Sequence, residues 1–372
     1  MAQSKWKHIA RIIACIFCMP MLCISAYAES YCSMGDIAIS TPARWTETYQ
    51  TQWRSIPVDV PIEVPKVAQF PIIKVRLMPA VSNEKLASFA GTVRNLAGSL
   101  TANRKENDVV PTNSLPRVTY TYGIDEVPQQ QPENVTLTYD EAVQLCQQEI
   151  EQLWHLQASE MKLETTIVES RIYQFQRKNG QILWGEPITD AGRYKMTFLQ
   201  LFHGIDVEGG KECYDQLMLP AEKAIHRASC YLSFSDAQNM KIRAALYEEL
   251  EVVYDDVPLL PFEAAKAAIE SEIYAGHLRT VEEMKLCYIP YLDPDDEQVL
   301  WLLPAWYVRG LYTRDATMEL KIEMDADGQT TFENMSRLEV VFQAQQGTLL
   351  NYADSNNDRR VVPEVLRWED VE

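Results

Sequence analysis

Carboxylates spaced like calcium ligands occur at Glu323-x-Asp325-x-Asp327-Gly328, with Glu333 and Asn334 beyond them. Acids at the first, third and fifth positions of a loop, with glycine at the sixth, are what a helix-flanked calcium loop supplies. The closing acid belongs at the twelfth position, but Glu333 stands at the eleventh and Asn334 at the twelfth. Met318, Leu320, Ile322 and Met324 alternate with Thr317, Glu319, Lys321 and Glu323, which is a strand period. A hairpin turned at Asp327-Gly328 therefore explains the run better than a metal site does. Asp354-Ser355-Asn356-Asn357-Asp358 is weaker still, with Arg359 where the glycine should be. Beyond the first 28 residues the histidines are His155, His203, His226 and His277, and none forms H-E-x-x-H. No G-x-S-x-G elbow is present, and no cysteine carries a nucleophile signature. These residues predict no catalytic centre, no metal and no cofactor.

Aromatic residues offer recognition chemistry instead. Trp301, Trp306 and Tyr307 surround Pro304 in the apolar run from Val299 to Val308. Proline has no N–H, so it cannot complete a ladder on both sides, and the run is expected at a sheet edge. An open edge can hold an extended peptide as an added strand. Trp301, Pro304, Trp306 and Tyr307 are accordingly the candidate binding residues, against the competing reading that aromatics in an apolar run pack a core.

The element that would position them runs from Pro258 to Gly310. Pro261 pre-sets a helix; Phe262, Ala265, Ile269 and Ile273 recur at spacings of three and four; Gly276 stops it. A strand from Met284 to Ile289, an acidic turn from Asp293 to Glu297 and the Val299 strand follow. An earlier stretch has the same order. Thr138 is a helix N-cap, Tyr139, Ala142, Cys146, Ile150 and Leu153 share a face, and three strands follow: 165–177, 181–184 across Asn179-Gly180, and 193–207. The openings Leu137-Thr138-Tyr139-Asp140-Glu141-Ala142 and Leu260-Pro261-Phe262-Glu263-Ala264-Ala265 suggest a degenerate repeat. Upstream, Pro57, Pro61, Pro65 and Pro71 predict edge or extended segments, and 101–134 reads as a linker or long loop. Residues 220–229 read as helix, 242–254 stays unassigned, and 337–345 is a strand continued past Gly347.

Lys5, Lys7 and Arg11 precede an apolar run from Ile12 to Ala26, and Ala26-Tyr27-Ala28 stands before Glu29. This is the pattern of a cleaved secretory signal, and the apolar run is too short to span a bilayer. Cys23 follows Pro20-Met21-Leu22, a poor lipidation site, so the expected product is an exported chain beginning at Glu29. Loss of the three cations takes the formal charge from −19 to −22. Nucleic acid and anionic membrane surfaces are excluded as partners on that balance, and no stable membrane insertion is expected after cleavage. Cys32, Cys146, Cys213, Cys230 and Cys287 remain, an odd and irregular set; a bridge between Cys213 and Cys230 stays open.

Five stretches resemble the PepSY superfamily and related Yyc-type extracytoplasmic regulators, closest to uncharacterised exported proteins of Gram-positive bacteria. They are the two helix openings, Phe202-His203-Gly204-Ile205-Asp206-Val207, Leu303-Pro304-Ala305-Trp306-Tyr307-Val308, and Phe342-Gln343-Ala344-Gln345-Gln346-Gly347-Thr348. The resemblance implies α+β modules of exported regulators or inhibitors and carries over no catalytic residue. The expected architecture is α+β: a signal at 1–28, a proline-rich region at 29–133, and helix-plus-antiparallel-meander units at 134–225 and 226–372. The expected function is non-catalytic binding of a protein or peptide of the cell envelope. An exported hydrolase with dispersed catalytic residues and a calcium-stabilised surface module are the alternatives.

Overall fold

The computed structural model describes residues 31–52, 54–79, 81, 93–96, 99–103, 109–122, 126–129, 131–132, 135–178, 181–189, 192–209, 225, 227–236, 239–312, 321–324, 330–333, 336–351 and 362–371. The chain is α+β, mostly sheet, and forms two compact units. One gathers Met1–Lys74, Glu251–Asp295 and Trp301–Glu372; the other is Val75–Leu250 with Asp296–Leu300. In chain order the elements are α1 (Met34–Ser40), β1 (Arg44–Gln50), β2 (Ser55–Glu63), β3 (Ile72–Leu77), β4 (Val93–Leu96), β5 (Ser99–Asn103) and β6 (Val109–Tyr122). Then come α2 (Tyr139–Trp154), β7 (Met161–Lys178), β8 (Gln181–Thr189), β9 (Arg193–Phe202), β10 (Ile205–Asp206), β11 (Ser229–Asp236), β12 (Asn239–Ala245) and β13 (Tyr247–Tyr254). The rest are α3 (Phe262–Tyr274), β14 (Glu283–Leu292), β15 (Val299–Tyr312), β16 (Lys321–Met324), β17 (Thr330–Glu333), β18 (Ser336–Gln343), β19 (Leu349–Asn351) and α4 (Trp368–Val371).

The unit built mainly from Val75–Leu250 holds a nine-stranded sheet in the order β4-β5-β12-β11-β9-β7-β6, with β10 on β9 and β8 on β7. Thr138 caps α2 and forms a capping box with Glu141, and the helix ends at His155 in the left-handed region. The cap is worth about 1 kcal/mol, whereas each buried Ile or Leu contributes about 1.5–3 kcal/mol. Packing therefore dominates: Ala142, Cys146, Ile150 and Leu153 face Met196, Phe198, Leu232 and Ile242 of the sheet in one core. Several sequence expectations are corrected here. Residues 101–134 are not a linker throughout, because β5 and β6 are sheet strands. β6 pairs β7 with register shifts around Pro111 and Pro116, where missing donors interrupt the ladder; those prolines hid the strand. The three strands after α2 are also not a simple meander: β8 and β9 both pair β7, at its second and first halves. The strand expected across 193–207 breaks at His203-Gly204, both at positive φ, and β10 folds back on β9. The Asn179-Gly180 turn lies outside the described residues, but Lys178 pairs Gln181 on either side of it. Most of the expected 220–229 helix is also outside them, and Ser229 opens a strand.

The discontinuous unit holds the sheet path β1-β2-β14-β15-β18-β19. Helix α3 packs Phe262 edge-on to Trp45 of β1 and Trp306 of β15. Gly276, with φ of 78°, ends the turn that follows it, as the spacing predicts. Pro261 is the N-cap residue rather than the first helical one. β15 is interior, so the edge expected at Val299 to Val308 is corrected: β14, β18 and β3 are all its neighbours. The physical reason lies at Pro304. A hydrogen-bonded antiparallel pair exchanges two bonds; Pro304 accepts from the Ala344 N–H at 3.1 Å but cannot donate back. The Ala344 carbonyl instead takes the Leu260 N–H at 2.5 Å, so no buried acceptor is left open and the proline sits inside the sheet.

Prolines in β2 obey a different rule. Ile62 N–H donates to Ala43 and Thr51 N–H to Arg54, so odd residues of the first strand pair even residues of the second. Pro57 and Pro61 face Thr48 and Arg44 in the non-bonded pairs, and their missing N–H groups point away from β1. β14 reaches only Ile62 and Glu63 on that side, in parallel, leaving the prolines on the uncovered stretch.

Candidate functional site

Three of the four residues nominated from the sequence are interior. Trp306 is 0 % exposed, donates its indole N–H to the Leu260 carbonyl at 3.1 Å and packs on Phe262. Pro304 and Tyr307 are buried, with Tyr307 5.6 Å from the buried Lys285 ammonium. Trp301 is half-buried: its indole donates to Asp293 at 2.8 Å and Lys74 lies 4.5 Å over its ring. Burial works against the Asp293 charge, but the Asp295 N–H, the Trp301 indole and Lys74 outweigh it and hold the carboxyl below its ordinary range. The acidic turn is thus anchored from within, and the four residues do not form a recognition surface.

The remaining sequence candidates are scattered. His203 and His277 each meet one carboxylate, Glu249 at 2.9 Å and Glu272 at 3.1 Å, and His155 is a helix C-cap. His226, Cys213 and the Asp325–Gly328 turn lie outside the described residues. β16 and β17 pair as a hairpin around that turn, with Met324 facing Thr330. Among the described residues no group of three His, Cys, Asp or Glu side chains is placed to hold a metal.

An open strand edge does occur, at β1. It is the terminal strand of the described sheet, and Arg44, Thr46, Thr48 and Gln50 direct their backbone N–H and C=O groups away from β2. The strand has no proline, glycine or bulge across its seven pairs. Trp45 and Tyr49 bury the opposite face under α3. The Tyr49 phenol lies 2.5 Å from Glu47 and 2.8 Å from Glu270 of the helix, and accepts the Trp45 indole N–H at 3.0 Å. One phenolic hydrogen thus serves two carboxylates, and Lys266 closes the group by pairing with Glu47. Burial, then the two carboxylates, pushes the Tyr49 hydroxyl well above its ordinary value. The Lys266 ammonium, then Tyr49, holds Glu47 below the usual carboxylate range. The group locks β1 to α3 without using the outer edge.

None of Trp45, Glu47, Tyr49, Lys266 or Glu270 was singled out from sequence. Arg44-Trp45-Thr46-Glu47-Thr48-Tyr49-Gln50 does alternate, and that period was the available signal. Tyr49→Phe is expected to lower unfolding free energy by about 2 kcal/mol, since the carboxylates and the Trp45 N–H lose a partner in a nearly unchanged volume. Because Glu47 is depressed, its contribution is present at neutral pH and lost as pH falls through its lowered folded value. Urea midpoints from pH 7 to 3 check both: Tyr49→Phe should be destabilised at pH 7, and Glu47→Gln should flatten the acid limb.

No protein-family model matches the chain, and no curated protein matches it. Among solved structures it is similar to an uncharacterized protein from Eubacterium rectale, at 13 % identity and a TM-score of 0.48, over 89 % of this chain and 98 % of that one.

Proposed function

We propose that the chain is an exported, non-catalytic interaction or regulatory protein that holds an extended segment of a cell-envelope protein or peptide as an added strand. The observation that carries this reading is the contrast between two edges. The uncovered side of β2 is blocked by Pro57 and Pro61, whereas β1 presents four outward donors and four acceptors with no guarding proline, bulge or lysine. Native sheets usually blunt an exposed edge, so an unblocked one beside a blocked one fits a pairing surface. The PepSY-like kinship is supported by the helix openings, where Thr138 and Pro261 occupy the same N-cap position. Export rests on the leader pattern ending at Ala28, and among the described residues no helix is long and apolar enough to cross a membrane.

A photo-crosslinking residue at Thr48, in protein expressed in its own host, tests the reading. The expected result is an envelope adduct that disappears in Thr46→Pro. That variant removes an outward donor and leaves the β1–β2 ladder intact, so its melting curve should stay cooperative. An undiminished adduct in folded Thr46→Pro would overturn the proposal.

A further inference from the structure

We infer that the strand added at β1 is cationic, with Lys or Arg at alternate positions on the side facing α3. This rests on the edge-addition reading and names its ligand chemistry. On the helix side, Glu47, Glu263 and Glu270 stand against the single ammonium of Lys266, which they all influence. Glu47 is substantially exposed, Glu263 is exposed and Glu270 is half-buried, so this lip is acidic where an incoming side chain would lie. On the other face Arg44 and Asp59 pair with each other at 2.5 Å and Thr46 donates to Asp59 at 3.0 Å, so these two charges beside β1 offset each other.

Strand geometry turns that asymmetry into a pattern. An added antiparallel strand bonds through Arg44, Thr46, Thr48 and Gln50, which makes Glu47 a member of a non-bonded pair. Residues facing each other in such a pair are the closest on their face, so the residue opposite Glu47 sits beside its carboxylate. A cation there, repeated every second residue, meets the lip; an anion there is repelled. A second copy is the alternative occupant. Two chains each carrying a formal −19 repel, and pairing centred on Glu47 would set it against itself, so the charge balance favours a basic segment of another molecule.

The test uses three synthetic seven-residue probes with fluorescence anisotropy on the full chain: alternating Lys-Val, alternating Thr-Val and alternating Glu-Val. The Lys-Val probe should bind at least roughly tenfold more tightly than either other probe and weaken as salt shortens the screening length. N-methylation of its alternate backbone nitrogens on the pairing side should abolish binding, as should Thr46→Pro, which changes no charge. The N-methylated probe needs no variant and so does not depend on how well Thr46→Pro folds. Equal binding of Lys-Val and Thr-Val, both lost on N-methylation, would leave edge addition standing and overturn the cationic assignment. Lys-Val binding indifferent to N-methylation and to Thr46→Pro would be diffuse attraction to an acidic protein, and would overturn both. A concentration-dependent dimer abolished by Thr46→Pro, with no probe bound, would assign the edge to a second copy and overturn the inference. No binding of any probe and no dimer would overturn it as well.

Discussion

Trp306→Ala is expected to remove about 3–5 kcal/mol of unfolding free energy, the range for deleting a buried aromatic and leaving a cavity. The side chain is 0 % exposed, its ring packs edge-on against Phe262 at 5.8 Å, and its indole N–H ties β15 to the Leu260 carbonyl at the mouth of α3. Two losses therefore fall on one substitution: packing between helix and sheet, and the partner of a buried carbonyl. Trp306→Phe separates them, since it keeps much of the packing and forfeits the hydrogen bond; a cost of roughly 1–3 kcal/mol from the orphaned carbonyl and the volume change is expected. Urea denaturation of both variants gives the comparison. A Trp306→Ala midpoint within error of wild type would return Trp306 to the recognition role its position in the sequence suggested.

Gly310→Ala should cost about as much for the opposite reason. A Cβ built on Gly310 would stand 2.0 Å from the Thr280 carbonyl oxygen and 2.9 Å from its carbon, with Leu278 at 3.2 Å. Two of these are main-chain atoms of a segment that crosses the end of β15 through Arg279 N–H to Leu311 O at 2.7 Å and Glu282 N–H to Arg309 O at 2.8 Å. A side-chain tip could rotate away, whereas this backbone moves only by breaking those bonds. Overpacking in a tight core costs about 1–3 kcal/mol and more when backbone must shift, so about 3 kcal/mol is expected. Thermal melting with Gly310→Ala and the exposed control Gly35→Ala, where the nearest atom to the new Cβ is Ser33 Oγ at 3.7 Å, would show whether the loss belongs to the site.

Local signals and long-range ones differed in how far they could be read. Periodicity and caps placed both long helices: Thr138 with Glu141, the Ala142-to-Leu153 face, and the Gly276 stop all follow from neighbours within a few residues. The mixed α+β class was legible for the same reason. Proline misled where its consequence depended on a distant chain. Pro304 argues for an edge until the Leu260 N–H is known to serve Ala344, and residues 260 and 344 cannot be paired from composition. Pro111 and Pro116 disguised β6 because a strand that tolerates them needs a partner able to slip register. The β1 edge was hidden differently: its alternation is plain in Trp45, Glu47 and Tyr49, but terminal position in a sheet is a property of topology. The Tyr49 group draws Glu47 and Glu270 from segments 223 residues apart, so no spacing rule reaches it.

The junction at Leu259 and Leu260 bears on the order in which the chain can fold. Leu259 exchanges two backbone hydrogen bonds with Cys32, at 2.8 and 3.1 Å, and Leu260 donates to Ala344, so two adjacent residues tie together segments from near both ends of the chain. Residues 75–250 form most of one compact unit from a single uninterrupted stretch, while the other must gather three. Pairings of high sequence separation form slowly because loop closure comes before their contacts. As the chain leaves the ribosome, the middle can close its own core while β1 and β2 wait for β14, β15 and β18. For that interval β2 lacks its parallel neighbour, and Pro57 and Pro61 protect it from pairing with a stray strand before the proper one arrives.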